Sequence, residues 1–148
     1  AAFSGARDVL AASLKAEGYS LEELLSLIGT LRLEPVFTAH PTESTRRTIL
    51  RNAAELKLAD RITLRGADAC RPGAPVAPAD LVFLDPPYRS GLGTQALAAL
   101  DAQGWLQPNA LVMVETDAKG SFAIPPGFAL LEERQQGPAR LTFLLKSG

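Results

Sequence analysis

The stretch that most limits what this chain can fold into is Leu81-Val82-Phe83-Leu84, followed at once by Asp85-Pro86-Pro87-Tyr88. Four consecutive apolar residues suit a short strand buried on both faces, and two prolines then forbid either a longer ladder or a helix. The chain must stop and turn there. An acid is thereby delivered to the carboxyl end of a buried parallel strand, which is where open α/β sheets bind their ligands. The ring of Tyr88 follows that acid, and the combination suits chemistry on a flat, nitrogen-bearing substrate.

Around this stretch the sequence alternates between helical and extended texture. Residues 6–16 and 21–31 read as two helices broken at Glu17-Gly18-Tyr19. Ser20 and Glu23 form a capping box, and Leu21, Leu24, Leu25, Ile28 and Leu31 recur at helical spacing. Glu34 to Ala39 is short and β-branched, and His40-Pro41 closes it as a strand followed by a loop. Thr42-Glu43-Ser44 then caps a helix running through Ile49, Leu50, Ala53, Leu56 and Leu58, with Asp60 at its end. Ile62-Thr63-Leu64 reads as a short strand, followed by Gly66-Ala67-Asp68 and a Pro/Ala-rich loop over 71–79.

After the Asp-Pro-Pro-Tyr turn, Gly91 and Gly93 read as turn residues, Thr94 to Gln103 as a helix with Gly104 at its end, and Pro108-Asn109 as a turn. Ala110 to Glu115 is a second buried strand. A loop through residues 121–127 leads to Phe128–Arg134 and Arg140–Lys146, a hairpin that adds antiparallel strands to a parallel sheet. The class is therefore α/β: a Rossmann-like, mostly parallel sheet with a C-terminal antiparallel hairpin, preceded by two N-terminal helices.

Composition narrows the setting. At 148 residues, 47% hydrophobic and 21% charged, the chain suits one globular domain, and no apolar run approaches the ~20 residues of a membrane span. Fifteen basic and sixteen acidic residues give a net charge of -1, so any nucleic-acid surface must be a local patch. A single cysteine, Cys70, excludes an internal disulfide and a cysteine-rich zinc site, and no metal cluster is expected. With no charged-then-apolar leader before Phe3, a reducing cytoplasm is expected; the absence of an initiator methionine suits a fragment.

Two family resemblances occupy different parts of the chain. Residues 52–148 resemble the latter part of a class I S-adenosylmethionine-dependent methyltransferase, specifically the 16S ribosomal RNA guanine-N2 methyltransferases. The resemblance is carried by Leu-Ala-Asp-Arg-Ile-Thr-Leu (58–64), the Asp68 loop, Leu81 to Tyr88, Gly-Trp-Leu-Gln-Pro-Asn-Ala-Leu-Val (104–112) and Arg-Leu-Thr-Phe-Leu (140–144). Residues 1–50 resemble the catalytic-histidine region of phosphoenolpyruvate carboxylase, through Val36-Phe-Thr-Ala-His40-Pro-Thr-Glu43-Ser-Thr-Arg46-Arg47. The expected division is thus 1–50, a carboxylase-like helical segment plus strand and loop, and 51–148, the C-terminal part of a methyltransferase, within one compact unit. The junction lies near Leu50-Arg51-Asn52.

The methyltransferase resemblance implies a sheet order of 3-2-1-4-5-7-6, with residues 35–39 standing in for a lost strand beside Leu81–Leu84. It implies that Asp85 and the Pro86 carbonyl accept the hydrogens of a guanine amine while Tyr88 stacks on the base. Pro87 and Arg89 would border the substrate, Asp68 would approach the adenine of S-adenosylmethionine, and 16S rRNA or the small ribosomal subunit would be the partner. For Asp68 the plainer reading is a residue capping its own loop. Glu115 and Asp117 could border the same cleft, Trp105 and Met113 read as core, and Cys70 as a spectator. The family's glycine-rich cofactor loop is missing from residues 1–51, so weak or no cofactor affinity is expected, with a non-catalytic chimeric product as an alternative. The carboxylase resemblance instead implies proton and carboxylate chemistry at His40, anion binding by Arg46 and Arg47, and magnesium.

Overall fold

The computed structural model describes residues 43–87 and 90–148. The expectations that fall on residues 1–42, namely the two first helices, the strand at 35–39 and the site residue His40, lie outside the described residues, as do Tyr88 and Arg89.

Helix α1 spans Glu43–Glu55. Exposed ion pairs one turn apart, Glu43–Arg47 at 3.2 Å and Arg51–Glu55 at 3.9 Å, support it by a few tenths of a kcal/mol each. It ends before Leu58 because Lys57 adopts a left-handed φ of 56°. The amides of Lys57 and Leu58 then fold back onto the carbonyls of Ala54 and Ala53 at 3.0 and 2.8 Å, the paired bonds of a Schellman closure. The apolar face expected for this helix is only partly realised: Ala53 is buried, but Leu50 and Leu56 are exposed. A 3-10 turn, Ala59–Arg61, follows. The expected strand Ile62–Leu64 is not formed, since only Ile62 and Arg65 make isolated bridges. Four residues, Ile62 to Arg65, separate that turn from Gly66, and only the first and last of them are bridged.

Strands β1 (Ala79–Leu84), β2 (Leu106–Asp117), β3 (Phe128–Gln136) and β4 (Ala139–Lys146) form a mixed sheet in the order β1-β2-β4-β3. Among these strands β1 and β2 pair in parallel, and the other two pairings are antiparallel. This is the order implied for the last four strands of the family sheet. Helix α2 (Leu92–Ala102) connects β1 to β2, with Gly104 at φ 80° in the turn after it. The Gly137-Pro138 turn joins β3 to β4, with Gly137 at φ 58°.

Pro108-Asn109 does not end a segment as expected. Strand β2 passes through it by an irregularity in register: Ala79 faces Leu106, whereas Leu81 faces Leu111. The extra residues are absorbed there, Asn109 turns to φ 63°, and the proline's missing N–H falls where the ladder is already interrupted.

Leu97 and Leu100 of α2 pack with Leu84, Val112, Val114, Leu144, Trp105 and Leu106 into one core against the sheet. Fully burying each of these large side chains contributes about 1.5–3 kcal/mol. Trp105 belongs to this core as expected, and its indole N–H donates to Gly73 O at 2.7 Å. The Arg65 guanidinium lies 5.0 Å from its ring centroid, which fastens the loop before β1 to the sheet.

Candidate active site

The core fixes the direction in which the Asp-Pro-Pro turn faces. Leu84, the last residue of β1, is buried against α2, and Asp85 follows it at the carboxyl end of the strand. Because side chains alternate along a strand, Asp85 is directed to the face opposite α2. The register Leu84 to Val114 makes Glu115 its neighbour across the parallel pair. Loss of solvent raises the Asp85 carboxyl above its ordinary value, and Glu115 is raised first by burial and then by the Asp85 charge. A carboxylate stripped of part of its hydration gains from an incoming hydrogen-bond donor.

The two prolines are held from the other side. Gly93 sits in the first turn of α2 so close to Pro86 that a Cβ there would lie 2.8 Å from the proline Cγ and 3.2 Å from Phe122 Cε2. Its role is close packing within the helix, not the turn expected for it. Gly91, at φ 70°, is the true turn residue and precedes the helix. The Ser90 hydroxyl donates to Pro87 O at 2.7 Å and accepts from Leu92 N–H at 3.2 Å, tying the turn to α2.

Beside the turn lies a cleft of about 390 Å³ lined by Pro86, Pro87, Ser90, Gly91, Gly93, Thr116, Asp117, Lys119, Gly120 and Ser121. Pro86, Pro87 and Asp117 are thus gathered at one place, whereas Asp85 does not line the cleft but stands with Glu115 across the sheet edge. Lys119, Ser121 and Arg140 are not among the site residues expected from the sequence. The only signal for them is the turn-like Asp117-Ala118-Lys119-Gly120, because Arg140 reaches this loop through tertiary contacts alone.

Asp68 behaves as a local cap, its Oδ1 accepting the Cys70 N–H at 2.9 Å. Its loop is nevertheless drawn toward the start of α2, since Cys70 Sγ lies 3.9 Å from Leu92 O. Burial raises the Cys70 thiol above its ordinary value, with the Asp68 charge adding to the effect and Arg71 opposing it. Arg46 and Arg47 are exposed on α1, and the residues lining the cleft all come from 86–121. Among the described residues no group of three or more His, Cys, Asp or Glu side chains is gathered to hold a metal. No helix among them is long and apolar enough to cross a membrane.

The described residues do not complete a seat for S-adenosylmethionine. No glycine-rich turn follows a strand among them.

Sheet order, connecting helix and the acid at the end of β1 together define the Rossmann-like methyltransferase class. The chain belongs to the family described as conserved hypothetical protein 95, which matches residues 34–145. It is 43% identical over 58 residues to the ribosomal RNA small subunit methyltransferase D of Haemophilus influenzae, a match covering 39% of this chain and 30% of that protein. A solved structure of a Haemophilus influenzae protein described as a methylase superposes with a TM-score of 0.62 at 26% identity, covering 72% of this chain and 69% of the other. A short likeness to phosphoenolpyruvate carboxylase of Xanthomonas oryzae, 54% identical over 37 residues, covers 25% of this chain and 4% of the carboxylase. The chain thus spans about a third or less of the curated relatives it matches.

Proposed function

We propose that this chain carries the acceptor side of an S-adenosylmethionine-dependent methyltransferase that acts on the exocyclic amine of a guanine in 16S ribosomal RNA. The observation that carries the reading is the Asp85-Pro86-Pro87 turn at the carboxyl end of β1, clamped by the Gly93–Pro86 contact and the Ser90 hydroxyl. An amine has two hydrogens to donate and one lone pair to present. Asp85 and the Pro86 carbonyl accept the hydrogens and so orient the lone pair, and Tyr88 stacks on the base at a benefit of ~1–3 kcal/mol. Asp85 is exposed at the turn yet loses part of its hydration, which favours such a donor, and its charge reaches Glu115 beside it. Positioning of this kind is the main contribution the described residues make to the reaction.

The likeness to a small-subunit ribosomal RNA methyltransferase supports the choice of RNA, and the choice of guanine follows the family resemblance. Arg89 and Pro87 flank the base in this reading, and the compartment is the cytoplasm, where ribosomal RNA is made.

The test is incorporation of labelled methyl from S-adenosylmethionine, supplied at high concentration, into small subunits lacking guanine-N2 methylation. Product located at guanine N2 and lost in Asp85→Ala supports the reading. Incorporation that survives Asp85→Ala, or that falls on another atom, overturns it.

A further inference from the structure

The cleft beside the Asp-Pro-Pro turn lies on the α2 side of the sheet edge, away from the acid that the acceptor reading uses. Its near wall is apolar and flat, made by the rings of Pro86 and Pro87 with Gly93. Its far wall is the turn Asp117–Gly120, which is fixed from several directions. Lys119 N–H donates to Asp117 Oδ1 at 3.0 Å, Gly120 N–H to Asp117 O at 2.9 Å, and Ala118 N–H to Pro138 O at 2.9 Å. The half-buried Arg140 guanidinium donates to Gly120 O at 2.9 Å and to Ala118 O at 2.6 Å. The backbone of Lys119 is therefore anchored while its residue stays exposed, and no carboxylate pairs with its ammonium among the described residues. Thr116, in the same wall, has a buried hydroxyl without a hydrogen-bond partner.

We propose that this cleft seats the ribonucleotide next to the one whose amine Asp85 holds, with its backbone phosphate on Lys119 and its sugar and base against Pro86 and Pro87. The proposal rests on the acceptor reading above. A volume of about 390 Å³ lies in the range of small-molecule sites, about 300–1,000 Å³. Asp85 and the cleft lie on opposite sides of one turn, so an RNA strand crossing the two prolines presents one nucleotide to each side. Arg140 is a positioning residue in this arrangement: its guanidinium is engaged with two loop carbonyls, and it acts by holding Lys119 where the phosphate passes.

Binding of a fluorescein-labelled single-stranded RNA of mixed sequence, followed by anisotropy over a series of KCl concentrations, tests the assignment. A phosphate contact made by one lysine contributes about 0.7 to the slope of log affinity against log salt. Lys119→Ala, an exposed change, is expected to lower the slope by that amount. Arg140→Gln is expected to produce the same single loss, and the double variant no further loss, because both changes remove one contact. Circular dichroism establishes whether Arg140→Gln folds; if it does not, Lys119→Ala decides the outcome alone. RNA binding in which Lys119→Ala keeps the wild-type slope overturns the subsite and leaves the acceptor reading standing. A double variant that loses two charges' worth of slope overturns the positioning role of Arg140. Wild-type protein that binds no RNA overturns the acceptor reading and the subsite together.

Discussion

Gly93→Ala separates two physical effects of opposite sign. Inside a helix, alanine is favoured over glycine by about 1 kcal/mol, and nothing in the backbone of Gly93 opposes it, since its φ is not in the left-handed region. The new methyl, however, would lie 2.8 Å from Pro86 Cγ, 3.5 Å from Pro86 Cβ and 3.2 Å from Phe122 Cε2. Proline cannot swing its ring aside as a flexible side chain would, and Pro86 is buried, so the strain must move the Asp-Pro-Pro turn or the helix. Overpacking of this kind costs about 1–3 kcal/mol. The steric term therefore wins, for a net destabilisation of about 1 kcal/mol and a drop in melting temperature of a few degrees. Urea unfolding with an unchanged m-value is the assay, together with RNA affinity, which should fall as Pro86 is displaced. A higher urea midpoint for Gly93→Ala would show that helix propensity dominates and that Gly93 does not clamp the turn.

The remaining expectations are independent of one another. Thr142 is fully buried with an unpartnered hydroxyl, so Thr142→Val should stabilise the protein by about 1 kcal/mol in the same urea assay, and a loss of stability would refute that account. Glu115 has a folded-state pKa raised above its unfolded value; its contribution to stability is complete at low pH and is lost as pH rises through the raised value. Glu115→Gln should therefore gain on wild type as pH rises from the ordinary carboxylate range towards neutrality, and a pH-independent difference would contradict the upward shift assigned to burial and the Asp85 charge. Calorimetric titration with S-adenosylmethionine should show affinity weaker than micromolar, because the sequence ahead of β1 carries no glycine-rich cofactor loop; micromolar binding would overturn that.

What could be read from the sequence divides along the range of the interactions involved. Strand β1, helix α2, the closing hairpin and the burial of Trp105 follow from local periodicity and turn chemistry, and the structure places each of them with shifts of about two residues at the ends. The Asp-Pro-Pro turn is legible for the same reason, since prolines act on their immediate neighbours. Strand β2 was obscured because Pro108-Asn109 carries turn chemistry, and only its alignment against β1 makes it a bulge. Ile62–Leu64 has strand-forming residues, yet only Ile62, and Arg65 just beyond them, are bridged. The apolar positions of α1 were legible, but which of them are covered was not.

The site shows the same limit. Asp85 was visible as an acid at a strand end, while its partnership with Glu115 depends on the register of Leu84 with Val114. Gly93 looked like a second turn glycine because nothing local reveals that Pro86 approaches it. Lys119 and Arg140 acquire meaning only when the loop after β2 meets the start of β4, about twenty residues later.

The central claim is that Asp85 holds the exocyclic amine of a guanine, and it can be measured without the methyl donor. The affinity of the protein for a short single-stranded RNA is compared with its affinity for the same RNA carrying inosine, which lacks that amine, in place of every guanosine. A contact of this kind discriminates by about 1–3 kcal/mol, so the guanosine RNA should bind roughly tenfold tighter, and Asp85→Ala should bind the two alike. Equal affinities in the wild-type protein, or discrimination that persists in Asp85→Ala, would contradict the claim.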